Sequence, residues 1–289
     1  MTDRIRVGGL DFDLLTETKV VAQVVDAIRR GSGGTIVTPN IDICRRTDRD
    51  PSTRVLVDSA SIVVPDGIPL LWAARLAGLP LVQRIAGADL IYSLSEAAAA
   101  NSWPIYVLGG LPGEDDSPGA AELAAGRLAA RYAGLKIAGA YSPPFPFDAK
   151  AGNVDDIRDS LVRAKPKIVF VGLGFPKQER LIARICGSLP GTWFVGCGAA
   201  IPIAAGQLTR AHPMIQRVGL EWLHRLVNEP RRLAKRYLVH DLPYALWLLA
   251  DSALHRNEPP RPDSARNPVE AGLTSPVEPD VTSSAGRDG

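Results

Sequence analysis

Six short apolar runs, at residues 35–38, 61–64, 105–108, 136–140, 167–172 and 193–195, constrain this chain more than any other feature. Each is closed by a loop rich in glycine or proline, and helical patterns intervene at 17–30, 87–100, 120–132, 154–164 and 178–189. Strands that are apolar along their whole length need cover on both faces, which a parallel sheet with helices above and below supplies. The expected fold class is therefore α/β, a Rossmann-like mostly parallel sheet with helices on both faces. The chain has 289 residues, 46% of them hydrophobic, which suffices for one large domain and a small appendage.

Three parts are expected: a Rossmann-like domain over 1–212, a helical appendage over 213–256 and a disordered tail over 257–289. The appendage is basic and amphipathic, with Arg217, Arg225, Arg231, Arg232, Lys235 and Arg236 set against Glu221 and Glu229 between residues 213 and 240. Trp222, Leu226, Leu233, Tyr237 and Trp247 are interleaved with these charges, a pattern suited either to a membrane surface or to packing on the main domain. The tail is Pro, Ser, Asp and Gly with few large apolar residues, too little to bury. Residues 1–9 carry no apolar signal segment, and no run approaches the ~20 apolar residues needed to cross a bilayer, so the expectation is a cytoplasmic protein peripheral to the inner face of the membrane. A formal net charge of +2 gives no ground for nucleic acid as a partner, and three scattered cysteines without a C-x-x-C pair indicate neither disulfides nor a zinc ribbon.

In open parallel sheets, ligands bind beyond the carboxyl ends of the strands. The residues there are Thr38-Pro39-Asn40, Pro65-Asp66-Gly67, Gly109-Gly110, Gly172-Leu173-Gly174 with Pro176-Lys177-Gln178-Glu179, and Gly196-Cys197-Gly198. All four histidines fall after residue 211, which excludes a histidine base or a His-rich metal site within the sheet. Asp66, a lone carboxylate at a strand end, is the candidate base, its basicity raised by partial desolvation; the alternative is that Asp66-Gly67 supplies only turn chemistry. The turn at Gly172 and Gly174 leads into a helix N-terminus bearing Lys177 and Gln178, a ready phosphate site. It lacks the third glycine of a dinucleotide fingerprint. Asp11-Phe12-Asp13 matches a metal-binding D-x-D pattern, but Asp48-Arg49-Asp50 matches it as well, and a hairpin with exposed aspartates is the expectation. Arg225, Arg232 and Arg236 would share one face of a continuous helix and suit a diphosphate, unless Pro230 interrupts that helix or they form an ordinary solvated face.

These segments, with Arg84, Gly87-Ala88-Asp89-Leu90, Gly196 to Ala200, Leu220-Glu221-Trp222, Arg225, Glu229-Pro230 and Arg232, resemble the WecG/TagA/CpsF family of bacterial glycosyltransferases from about residue 35 to 237. The resemblance implies an inverting transferase that moves N-acetylmannosamine, its uronic acid or another hexose from a UDP-sugar donor to an undecaprenyl-diphosphate-linked acceptor. It also implies no resident metal or cofactor, and a monomer able to self-associate into a homo-oligomer. Asp66 falls on the family's base. Thr38, Asn40, Arg84 and Gln178 fall on its pocket, and Arg225, Arg232 and Arg236 on an appendage that closes over the diphosphate and touches the membrane. Gly109, Gly172, Gly174, Lys177 and Gly198 complete the expected substrate-binding set. The chain departs from the family at Ile201-Pro202-Ile203, where Phe-Asp is usual before the Ala-Gly pair. Two rival readings on the same fold are a nucleotide-sugar oxidoreductase or epimerase, and a non-catalytic nucleotide-sugar-binding membrane adaptor.

Overall fold

A computed structural model of the chain describes residues 3–81, 83–115, 117–147, 153–212, 221–228 and 230–254. The expected tail at 257–289 lies outside the described residues, as do 213–220 at the start of the appendage.

A hairpin, β1 (Arg4–Val7) and β2 (Leu10–Asp13), precedes the main sheet. Its strands turn through Gly8 and Gly9, both at positive φ, the backbone that a tight hairpin requires. Six parallel strands then line up in the order β4, β3, β8, β7, β5, β6. They are β3 (Gly34–Val37), β4 (Ile62–Val63), β5 (Pro104–Gly109), β6 (Lys136–Tyr141), β7 (Ile168–Gly172) and β8 (Trp193–Gly196). The nine helices described up to residue 204 are α1 (Glu17–Arg29), α2 (Ile41–Arg49), α3 (Pro51–Asp58), α4 (Ile68–Leu76), α5 (Gly87–Ala100), α6 (Ala120–Arg131), α7 (Asn153–Ala164), α8 (Lys177–Ile185) and α9 (Ala200–Ala204). The C-terminal segment follows as α10 (Glu221–Asn228), α11 (Pro230–Ala234), a π-helical stretch (Lys235–Asp241) and α12 (Leu242–Leu254).

Strand alternation divides the core into layers. Ile36, Val107, Phe170 and Val195 face α1, α5, α6 and α9 through Val24, Leu94, Ala124 and Ile201. On the opposite face, Leu108, Val171 and Phe194 pack with Leu161 of α7 and Leu181 of α8. Beside them Val37 and Val63 pack with Phe12 of the hairpin, Leu70 of α4, and Tyr244 and Leu248 of α12. The helix after β3 therefore leaves to one face and the helix after the adjacent β8 to the other. That divergence opens a crevice at the strand ends, where ligands of such sheets bind.

All six apolar runs form strands of this sheet, although the second shortens to two residues at the sheet edge. The helices α2, α3 and α4 go beyond what periodicity gave. Helix α2 escaped because Asp42, Arg45 and Thr47 lie on its buried side, so its inward face does not read as apolar. The D-x-D segment is in a hairpin, as expected, but its aspartates are not both exposed. Asp13 is 3% exposed, pairs with Arg4 at 2.8 and 3.0 Å, and accepts from the Val63 amide at 2.8 Å. It thereby caps a backbone donor of the edge strand β4. Asp11 pairs with Arg6 at 2.8 and 2.9 Å.

Asp13 is thus a structural carboxylate. Asp13→Ala strands Arg4 and the Val63 amide and is expected to cost about 3 kcal/mol in urea unfolding; a loss under about 1 kcal/mol would show that the pair contributes no more than a surface ion pair.

Candidate active site

The crevice is built first by hydrogen bonds between successive turns. Asn40 caps α2, its Oδ1 accepting from the Ile43 amide at 3.1 Å, which fixes the turn after β3. Thr38 beside it is buried. The Asp66 amide donates to the Pro39 carbonyl at 2.8 Å, and the Ile85 amide donates to the Pro65 carbonyl at 2.8 Å. These two bonds bring Thr38, Asn40, Asp66 and Arg84 onto neighbouring turns.

Arg84 stands 3.6 Å from the Asp66 carboxylate and 3.5 Å from Asp89 in the first turn of α5. Arg210 grips the same Asp89 with both terminal nitrogens, at 2.5 and 2.8 Å. The Asp66 side chain is 28% exposed and Arg84 is 16% exposed. The desolvation expected of Asp66 is therefore accompanied by a cation. Sequence reading missed Arg210 and gave Asp89 no role, because Arg210 lies 121 positions from its partner and belongs to no periodic element.

The glycine turns form a second wall. The Gly110 amide donates to the Gly172 carbonyl at 3.0 Å, and a Cβ on Gly109 would lie 2.5 Å from that same oxygen. A Cβ on Gly172 would lie 2.7 Å from the Gly198 carbonyl and strike Ile201. The departure at Ile201-Pro202-Ile203 therefore puts a fully buried Ile201 against this turn. Gly109, Gly172 and Gly198 thus make a floor without side chains across the ends of β5 and β7 and the turn after β8.

Gln178, 4% exposed, spans that floor from beneath. Its Oε1 accepts from the amides of Gly174 at 3.1 Å and Gly198 at 3.2 Å, and its Nε2 donates to Glu179 at 2.8 Å. The amides of Gly174 and Gly198 are therefore turned toward Gln178 and are not offered to a phosphate. Lys177 remains at the N-terminus of α8, where the helix dipole also favours an anion. Burial pushes the Glu179 carboxyl up to about 7, against the opposing hydrogen bond from Gln178. Burial likewise pushes the Cys197 thiol up to about 12, which leaves it unreactive.

The C-terminal segment reaches this rim through an ionic knot. Arg236 pairs with Asp241 at 3.1 Å and with Asp42 at 3.5 Å, and Arg45 joins both aspartates. Asp42 lies two positions after Asn40. Arg236, expected at a diphosphate, is thus committed to protein carboxylates here. Arg225 and Arg232 lie on α10 and α11, and their side chains fall outside the described residues. Arg236 lies on the π-helical stretch, so the three arginines do not ride one continuous α-helix. Among the described residues there is no group of three or more His, Cys, Asp or Glu arranged to hold a metal ion.

The sequence profile of the glycosyl transferase WecG/TagA/CpsF family matches residues 5–258. The chain belongs to this family. Among similar proteins are N-acetylglucosaminyldiphosphoundecaprenol N-acetyl-β-D-mannosaminyltransferases from Bacillus spizizenii, 30% identical over 78% of this chain and 84% of that protein, and from Bacillus subtilis, 30% identical over 80% and 85%. One from Staphylococcus aureus is 26% identical over 86% of this chain and 93% of its own length. The protein is therefore a glycosyltransferase, and the oxidoreductase and adaptor readings fall away. The family match begins in the hairpin and runs past α12, well beyond the 35–237 span in which the resemblance was first legible.

For this glycosyltransferase the state of Glu179 makes a stability prediction. Its folded form holds a proton more tightly than an ordinary carboxyl at 4.5, so the associated stability is present below that pH and lost as pH rises through about 7. Glu179→Gln does not titrate. Relative to wild type it should gain about 2 to 3 kcal/mol of stability between pH 5 and pH 8 by chemical denaturation; a difference independent of pH would place the Glu179 titration outside this range.

Proposed function

We propose that this glycosyltransferase moves an N-acetylmannosamine-type hexosamine or a hexose from a UDP-sugar to a polyprenyl-diphosphate-linked acceptor, with inversion, in the synthesis of a cell-envelope glycan. The observation that carries this reading is the placement of Asp66. Its carboxylate stands at the ligand edge of the sheet, tied by backbone to the Thr38-Pro39-Asn40 turn and flanked by Arg84. The names of the similar Bacillus and Staphylococcus proteins support the acceptor class.

In this mechanism Asp66 accepts the proton of the acceptor hydroxyl as that oxygen attacks the anomeric carbon from the face opposite the departing UDP. The carbon–oxygen bond to the diphosphate breaks as the new glycosidic bond forms. The negative charge that builds on UDP is met by Lys177, the N-terminus of α8, and Arg225 and Arg232 of the appendage. Thr38 and Asn40 line the pocket, and the floor at Gly109, Gly172, Gly174 and Gly198 lets the nucleotide approach the backbone. The test is UDP release with a panel of UDP-sugars and a polyprenyl-diphosphate-N-acetylglucosamine analogue. Asp66→Asn should lower turnover on the order of 10² to 10⁴ with UDP affinity little changed. A loss under about tenfold would remove Asp66 from the base role.

The lipid-linked acceptor calls for contact with a membrane surface. No helix among the described residues is long and apolar enough to cross one. The C-terminal segment instead exposes Trp222, Val227, Val239, Leu246 and Trp247, and α4, which packs on α12, exposes Trp72 and Leu76. Apolar side chains beside exposed Arg231 and Lys235 suit the interface of an anionic bilayer. We assign residues 213–256 to this peripheral association at the inner face of the cell membrane. Leu233, in contrast, is buried, and removal of the whole segment would strip Tyr244 and Leu248 from the core, so surface substitutions make the cleaner test. Val239→Ser combined with Leu246→Ser should weaken binding to anionic vesicles about tenfold or more without lowering the melting temperature. Unchanged vesicle binding would remove this surface from the interface.

A further inference from the structure

The Gln178–Glu179 pair is buried, joined by a hydrogen bond, and given no part in the proton transfer. An amide side chain has the same shape in both orientations but opposite polarity at its two ends. Here two backbone N–H groups, from Gly174 and Gly198, converge on one end, which must therefore be the oxygen. The NH2 end then faces Glu179 Oε1 at 2.8 Å. A flipped amide would set its NH2 against two donors and its oxygen against a carboxyl oxygen. Glu179 is 4% exposed, and its Oε2 has no hydrogen-bond partner among the described residues. A carboxyl in that spot is a costly way to fill space, since burial without full pairing opposes folding. The pair also rests on the end of β8: a Cβ on Gly196 would lie 2.8 Å from Gln178 Nε2 and 3.0 Å from Glu179 Oε1.

We propose that Glu179 is a positioning residue for the nucleotide donor, holding the Gln178 amide in the one orientation that ties the turn after β7 to the turn after β8. Glu179 touches no substrate. It acts through Gln178, and Gln178 acts through the two glycine amides that shape the floor under the donor. The inference rests on the reading of that floor as the donor site.

Glu179→Met, which keeps the volume but withdraws the acceptor, should raise the dissociation constant for UDP and the donor KM by about tenfold, with kcat within about threefold. Hydrogen exchange at the Gly174 and Gly198 amides should speed up in this variant more than at the Gly110 amide. Glu179→Gln, whose amide oxygen can still accept from Gln178, should restore the UDP affinity to within about threefold of wild type. Gln178→Met should match Glu179→Met, and the double variant should be no weaker than either, as two parts of one clamp require. Gly196→Ala drives a methyl into the same pair without changing Glu179, and supplies the comparison if Glu179→Met does not fold. Wild-type UDP affinity together with unchanged exchange in folded Glu179→Met would overturn the proposal, as would a loss that Glu179→Gln fails to restore. If the wild-type protein binds no UDP, the donor-site reading fails, and the positioning role fails with it. In that case the exchange data still show whether the pair ties the two turns.

Discussion

The arrangement of the site depends on how closely three strand ends approach one another. Parallel strands sit at a fixed spacing, and their ends approach so closely that a methyl group at Gly109 would meet the Gly172 carbonyl and one at Gly172 would meet the Gly198 carbonyl. The absence of side chains there is a demand of geometry before it is a demand of chemistry. It leaves a backbone surface at the crevice where helices depart to opposite faces. The groups with chemistry, Asp66, Arg84 and Lys177, can then stand around a surface against which a flat, charged ligand can lie.

Charge within this site is carried in chains. Arg210 holds Asp89, Asp89 meets Arg84, and Arg84 stands beside Asp66, so the candidate base is the last member of a row of alternating sign. A second knot, of Arg45, Asp42, Asp241 and Arg236, binds the C-terminal segment to the first turns of α2. Each guanidinium has several donors and each carboxylate two acceptors, so such knots fix orientation as well as distance. The rim of the crevice is therefore positioned partly by residues more than a hundred positions away in sequence.

What the sequence revealed and what it hid divide along this line. The turns carrying Thr38, Asn40, Asp66, Gly172 and Gly198 were legible because each follows directly from its own strand, and strand ends announce themselves by an apolar run meeting glycine or proline. Gln178 was legible as a pocket position, but not its use, because nothing local states that two distant amides converge on its oxygen. Helix α2 was hidden because it buries ionic groups, and Arg210 because its partner lies in another element. Asp13 was misjudged as exposed for a related reason: its burial comes from capping the edge of a strand fifty residues later. Local chemistry is readable one segment at a time, whereas pairing across segments is not.

The packing of α12 has a consequence for the order in which the molecule assembles. Ile5, Leu10 and Phe12 of the hairpin share a core cluster with Tyr244 and Leu248 of α12, and the Tyr244 hydroxyl donates to the Gly8 carbonyl at 3.4 Å. The clusters above β5, β7 and β8 draw on residues made earlier and can consolidate while the chain is still being synthesised. The cluster behind Val37 and Val63 cannot close until Leu248 has left the ribosome. The nascent protein therefore waits with an apolar flank open beside its future crevice, and α12 is the clasp that ends the wait.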